Sequence, residues 1–141
     1  MTNKRKRNWS KNRDILKSIP NPSKEAYEIK MKIPELTFEG VRGQPDFAHL
    51  YITFYPGDKV VELKSLKEYF FAFRSQIYSY ERIINVVYDD LMAAYEPARL
   101  RLMMVCNPRG GISSKLTVDS DWKARGGADV FKDWVGGQED W

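Results

Sequence analysis

Glu62-Leu63-Lys64-Ser65-Leu66-Lys67-Glu68-Tyr69-Phe70 spans a change of period. Val60 and Val61 close an alternating, strand-like run, whereas Leu66, Tyr69, Phe70 and Phe73 recur at helical spacing. A strand therefore hands over to a helix here. Ser65 can accept a hydrogen bond from the first free N–H groups of that helix. Lys64 and Lys67 set two cations beside a terminus whose own partial charge is already positive. Two readings are open: a solvated helix start that carries lysines, or an anion site in which amides, a hydroxyl and two ammonium groups meet a phosphate.

Upstream of this stretch, Tyr27, Ile29, Met31 and Ile33 alternate with Glu28, Lys30 and Lys32, the pattern of a strand with one wet face. Pro34 is expected to stop it, and residues 35–46, with Gly40, Gly43 and Pro45, read as a loop. Alternation resumes from Phe47 to Tyr55, with Leu50, Ile52 and Phe54 on one face and His49, Tyr51 and Thr53 on the other. Pro56-Gly57-Asp58 then turns the chain. Downstream, the first helix is expected over 65–76 and a second over 81–95, the latter burying Ile84, Val87, Leu91 and Ala94 and ended by Pro97. Arg99 to Cys106 alternates again, Asn107-Pro108-Arg109-Gly110-Gly111 turns, and Ile112, Leu116 and Val118 mark a fourth strand.

The order β-β-α-α-β-β predicts an α+β domain: a four-stranded antiparallel sheet with both helices on one face. Such a sheet leaves two edges unpaired. Edge-to-edge pairing between subunits would close a larger barrel, so a homo-oligomer is expected.

Composition restricts the function classes. No apolar run approaches the ~18 residues that span a bilayer, the first residues carry no secretory apolar region, and Cys106 is the only cysteine, so a cytoplasmic location is expected. Residues 1–25 hold eight Lys/Arg against two acids, a net of +6. Since the whole chain carries +4, the other 116 residues carry −2. The basic pI thus belongs to an N-terminal arm, expected to be a flexible, solubilising extension rather than a nucleic-acid contact, with residues 26–141 forming a single domain.

Metal catalysis lacks ligands, since His49 is the only histidine and reads as a sheet residue. No dinucleotide-binding glycine fingerprint opens a helix. Asp46, at a loop-to-strand junction, is either a turn residue or a proton donor or acceptor. Glu81 suits the start of the second helix, and a carboxylate there can also accept paired N–H donors from a guanine-like edge. Arg109, on a tight turn, caps a carbonyl or meets an anion.

Taken together, these residues resemble a known family. Glu62-Leu63-Lys64-Ser65-Leu66-Lys67-x-Tyr69 is similar to the signature of the NADPH-dependent 7-cyano-7-deazaguanine reductases, nitrile reductases of the queuosine tRNA-modification pathway; Glu68 stands where that family usually has leucine or tyrosine. Gly43-Gln44-Pro45-Asp46-Phe47, Phe73-Arg74, Glu81 and Pro108-Arg109-Gly110-Gly111-Ile112-Ser113 match at similar spacing, so the likeness spans about residues 26–120. It implies the tunnelling fold, whose subunits assemble into barrels with sites at subunit interfaces. It also implies NADPH at the opening stretch, with Glu62, Lys64, Ser65, Lys67 and Arg109 on the cofactor and the two lysines and the serine near its phosphates. Glu81 would hold the deazaguanine edge, and Asp46 would donate the proton.

One position departs from the family. There a cysteine shortly before Gly-Gln-Pro-Asp attacks the nitrile carbon, and NADPH reduces the resulting thioimide in two rounds. Here that position falls on Glu39 or Gly40, depending on where a short deletion is placed. Glycine has no nucleophile and a carboxylate is a weak one, though Glu39 keeps acid–base capacity. Cys106 shares the parity of Leu100, Leu102 and Met104, a core face. The expected activity is therefore NADPH-dependent reduction of a deazaguanine, purine or pterin-like heterocycle, by hydride transfer to a C=N bond without a covalent adduct. Two alternatives stand beside it: a cyclohydrolase-like, non-redox enzyme using Glu39 and Asp46, and a non-catalytic heterocycle-binding protein.

Overall fold

The computed structural model describes residues 10–131. Its strands are β1 (Ser18–Pro20), β2 (Ile29–Glu39), β3 (Pro45–Tyr55), β4 (Lys59–Val61), β5 (Arg99–Arg109) and β6 (Ile112–Asp119); its α-helices are α1 (Leu63–Phe71) and α2 (Tyr80–Tyr95). β2, β3, β5 and β6 form one antiparallel sheet in that spatial order, and β1 and β4 form a separate two-stranded ribbon.

The sheet face that carries Leu36, Phe38, Leu50, Ile52, Phe54, Leu100, Leu102, Met104 and Cys106 packs against Leu66, Tyr69 and Phe70 of α1 and Ile83, Ile84, Val87 and Leu91 of α2. Helical period on one side and strand alternation on the other thus meet in one core, as the α+β reading requires. α1 is shorter than the sequence suggests: after Phe71 the chain tightens into a 3-10 turn, Ala72–Ser75, which carries Phe73 into the same core. α2 starts at Ser79, whose hydroxyl accepts from the Arg82 amide, and ends at Glu96, which takes a left-handed conformation (φ 46°) ahead of Pro97.

Two expectations are corrected. Pro34 does not stop β2. Ile33 pairs with Leu50 and Leu36 pairs with Ala48, so Pro34 and Glu35 together oppose His49 alone. Two residues against one is a β-bulge, which tolerates a proline that has no N–H to give the ladder, and the strand resumes to Glu39.

The N-terminal segment is not a free arm over the residues described. Lys11–Ile15 forms a 3-10 turn, and β1 pairs with β4 through Ser18↔Val61 to Pro20↔Lys59. The Ser10 amide donates to Asp90 at 3.1 Å, and Asn12 and Gln76 exchange side-chain amide bonds at 3.1 and 2.8 Å. Tyr69 donates to the same Asp90 carboxylate at 2.7 Å. These bonds explain how α2 can bury Asp90 on a helix that already packs the sheet on its opposite side. The basic cluster Lys4–Arg7 lies outside the described residues.

Candidate active site

The hairpin joining β2 to β3 and the turn joining β5 to β6 meet at the N-terminus of α2. Phe38 pairs with Asp46, so both project onto the helix-covered face, while Glu39 pairs with Pro45 on the other face. Asp46 is therefore carried inward and is only 6% exposed. Arg109 Nη2 donates to both of its oxygens, at 2.8 and 2.9 Å, and the Gln44 amide approaches at 3.4 Å. The Arg109 guanidinium lies over the Tyr80 ring at 5.5 Å, and Phe38 meets that ring edge-on at 5.9 Å. Burial, and then the charge of Asp46, push the Tyr80 hydroxyl above its usual pKa, so it remains protonated and can donate to the carboxylate.

Gly40 lies against this cluster. A Cβ built on it would collide with the side chains of Gln44, Asp46 and Arg109. The volume that any side chain at position 40 would need is filled by the three polar groups themselves. Glu39 is held through its main chain, donating to Gln76 at 2.9 Å and accepting from Tyr78 at 2.8 Å. Its strand parity turns its side chain away from Asp46, so the two carboxylates expected to share proton transfer do not converge within the subunit.

Cys106 lies beneath the cluster on β5, opposite Ala48 and Ser114. It is 2% exposed. Burial first, then the charges of Glu81 and Asp46, raise its thiol pKa to about 11. At neutral pH it is a packed thiol, not a nucleophile. Glu81 itself stands exposed in the first turn of α2, within electrostatic reach of Cys106 and beside Tyr80.

The stretch read as a cofactor site is at the other end of the subunit. Ser65 bonds to Lys17, whose carbonyl accepts from Tyr95, whereas Arg109 sits over Tyr80. Tyr80 and Tyr95 bound α2, so the two groups are separated by roughly 22 Å of helix. Arg109 thus belongs with Asp46 and not with the lysines of the same subunit.

The start of α1 also differs in detail from the expectation. Glu62, not Ser65, is the cap: its carboxylate accepts from the Lys64 amide at 3.2 Å and the Ser65 amide at 2.8 Å. Those bonds, chiefly the one from the Ser65 amide, hold the Glu62 pKa below the usual carboxylate range. The Ser65 hydroxyl is buried, accepting from Lys17 N–H at 2.9 Å and donating to the Glu62 carbonyl at 2.8 Å. Neither the first amides nor Ser65 are open to an anion, because the acid cap and the N-terminal segment occupy them. Lys64 and Lys67 are exposed and are the groups here that fit a phosphate.

Tyr80 and Gln44 are the site residues that sequence reading did not single out. The signal for Tyr80 was its place directly before Glu81; nothing local marks its bond to Asp46.

Comparison with known proteins bears on the fold and the family. The fold is the tunnelling fold. Among solved structures it is similar to an archaeosine synthase described as QueF-Like, in its apo form, with a TM-score of 0.56 at 12% identity over 69% of this chain and 94% of that one. Residues 45–125, more than half of the chain, match the family described as QueF-like protein. Two curated relatives carry the name NADPH-dependent 7-cyano-7-deazaguanine reductase. The one from Nitrosospira multiformis is 40% identical over 121 residues, 82% of this chain and 87% of its own. The one from Thermomicrobium roseum is 38% identical over 120 residues, 84% and 94% respectively. The chain belongs to the QueF-like family.

Proposed function

We propose that this protein is an NADPH-dependent reductase of a deazaguanine, purine or pterin-like heterocycle, and that it transfers hydride to a C=N bond without first forming a thioimide. The observation that carries the second half is at Gly40, where Gln44, Asp46 and Arg109 fill the space a side chain would need. The one thiol in the chain is buried and held protonated. The relatives' names support the first half, as do the two exposed lysines at the start of α1.

Bound NADPH would supply the hydride. Lys64 and Lys67 would hold its phosphates from their side chains, while Ser65 and Glu62 shape the helix start that presents them. Asp46 is the proton-transfer residue: it sits at a polar junction floored by Phe38, where Arg109 and Tyr80 fix both of its oxygens in position. As the partner of Arg109, Asp46 is a carboxylate, so the proton that it passes on is first taken from water: Arg109 must let go of one oxygen for that oxygen to be protonated, and the half-exposed guanidinium has room to do so. Glu81 would accept the paired N–H donors of the heterocycle.

Tyr95, joined through Lys17 to Ser65, and Tyr80, beside Asp46, lie a helix length apart, a further reason to expect a homo-oligomer, since a neighbouring subunit can bring one end of α2 against the other end of its own. A thermal-shift panel of NADPH, the nitrile, GTP and pterins tests the reading. Stabilisation by NADPH together with a heterocycle, and oxidation of NADPH by that heterocycle, is the expected result. Stabilisation by heterocycles alone would replace the reductase with a non-redox enzyme.

A further inference from the structure

A groove of about 250 Å³ runs between the β2 bulge and the exposed flank of α1, lined by Lys32, Glu35, Lys67, Phe70, Phe71 and Arg74. Its composition is unusual for an empty surface crease. Two cations, Lys67 and Arg74, stand with one carboxylate, Glu35, and one wall is a phenyl ring, Phe71, left 62% exposed. Arg74 lies over that ring at 4.6 Å. Lys64, Lys67, Phe71 and Arg74 follow one another at intervals of three or four residues, so they form a single line along α1 and the 3-10 turn after it. The line begins at the two lysines assigned to the dinucleotide phosphates and runs, over about 15 Å, into the groove.

We propose that this groove holds the phosphorylated adenosine end of NADPH, with Arg74 on the ribose phosphate and Phe71 against the adenine. The proposal rests on the dinucleotide reading above and gives the cofactor's distal half a place. Three features favour it. A planar guanidinium matches a phosphate dianion better than a point charge does, because it offers paired N–H donors. Its present partner is weakly held: Arg74 meets Glu35 at 3.3 Å with both side chains largely in solvent, so a phosphate can take the guanidinium from the carboxylate. The released Glu35, fixed by the β-bulge at the groove wall, is an acceptor for an exocyclic amine such as that of adenine. An exposed phenyl beside these groups provides the stacking surface that any purine can use.

The groove therefore discriminates: Arg74 recognises the phosphate that distinguishes NADPH from NADH, whereas Phe71 serves both. The test is the affinity of the full-length protein for NADPH, NADH and adenosine 2′,5′-bisphosphate, measured by calorimetry or dinucleotide fluorescence. It compares the wild type with Arg74→Ala and with Phe71→Ala; far-UV circular dichroism checks that each variant is folded. Wild type should prefer NADPH and bind the bisphosphate. Losing Arg74 should weaken NADPH and the bisphosphate by roughly ten- to a hundredfold, the range expected for charge-assisted bonds, with little change for NADH. Phe71→Ala should weaken all three ligands.

If the wild type prefers NADPH and Arg74→Ala keeps that preference, the groove is not the phosphate subsite, and the dinucleotide reading survives. Equal wild-type affinity for NADPH and NADH overturns the subsite as well. If the wild type binds no dinucleotide, both the subsite and the reductase reading fall.

Discussion

Arg109 Nη2 lies 2.8 and 2.9 Å from the two oxygens of Asp46, so a single nitrogen on the β5–β6 turn restrains a carboxylate on the β2–β3 hairpin, 63 residues away in sequence. Asp46 is almost fully buried and Arg109 is not. Removing the arginine leaves a buried charge without its cation, whereas removing the aspartate leaves a cation that water can reach. Arg109→Met should therefore destabilise the fold by about 1–3 kcal/mol, less than a fully buried pair would cost because half of the guanidinium is already hydrated. Asp46→Asn should cost less stability and cut NADPH-dependent turnover by about a hundredfold or more. Urea unfolding and steady-state rates on the two variants check this. An Asp46→Asn enzyme with wild-type turnover removes Asp46 from the chemistry.

Gly40→Ala places a methyl where Gln44, Asp46 and Arg109 now meet. The collision involves three side chains at once, so relief means breaking the ion pair. The variant should fold, lose stability by about 1–3 kcal/mol, and lose turnover with Asp46→Asn. A double variant, Gly40→Ala with Arg109→Met, should lose less than the sum of the two, and strict additivity would show that Gly40 does not act through the pair.

Ser65 and the lysines beside it should respond differently to substitution. Because the Ser65 hydroxyl bonds to Lys17 N–H and the Glu62 carbonyl, Ser65→Ala should lower stability by about 1–3 kcal/mol and leave NADPH affinity within a few-fold of wild type. Lys64→Ala and Lys67→Ala should leave the melting temperature nearly unchanged while weakening NADPH, more so at low salt. Reversal of these two patterns would restore Ser65 as a phosphate ligand.

At the far end of the sheet, Arg99 and Asp119 are each 2% exposed in their side chains and are joined at 2.6 Å. Burial works against ionisation of Asp119, but the bonds from Arg99 and the Asp121 amide outweigh it, and the carboxyl titrates below its usual range. A depressed folded-state pKa means that the stabilisation is fully present above the unfolded value, ~3.9, and is lost as pH falls through the folded value. Asp119→Asn should flatten that acid-side slope and cost about 3–5 kcal/mol at neutral pH by leaving Arg99 buried without an anion. Denaturation curves across the acid range measure both.

Cys106, with its pKa raised to about 11 and its side chain buried beside Ala48 on the core face of the sheet, should resist thiol reagents in the folded protein and react after unfolding. Cys106→Ala should retain the turnover of wild type. Loss of turnover with unchanged folding would make Cys106 the nucleophile.

Much of this architecture was legible because it is periodic. Leu50, Ile52 and Phe54, or Leu100, Leu102 and Met104, reveal their shared face by alternation alone, and Leu66, Tyr69 and Phe70 do so at helical spacing. What escaped is aperiodic and long-range. Ser10 bonding to Asp90, or Lys17 claiming the Ser65 hydroxyl, joins polar residues far apart in sequence and leaves no local pattern, so a packed segment looked like a charged arm. Both Glu62 and Ser65 are plausible caps of α1, and the choice is settled by Lys17, 48 residues upstream of Ser65. Pro34 marks a strand end unless a bulge absorbs it, and the bulge becomes visible only in the register with β3. At the site, Asp46 and Arg109 were legible as residues but not as partners. The separation of Glu39 from Asp46 follows from parity across a hairpin whose first strand had been read as ending too early.

The most direct test of the central claim is NADPH absorbance followed after adding 7-cyano-7-deazaguanine to enzyme that has been shown to bind NADPH. The account predicts bound cofactor and no oxidation that depends on the nitrile, because no thiol is placed to form the adduct. Nitrile-dependent oxidation at ordinary enzyme rates would contradict it.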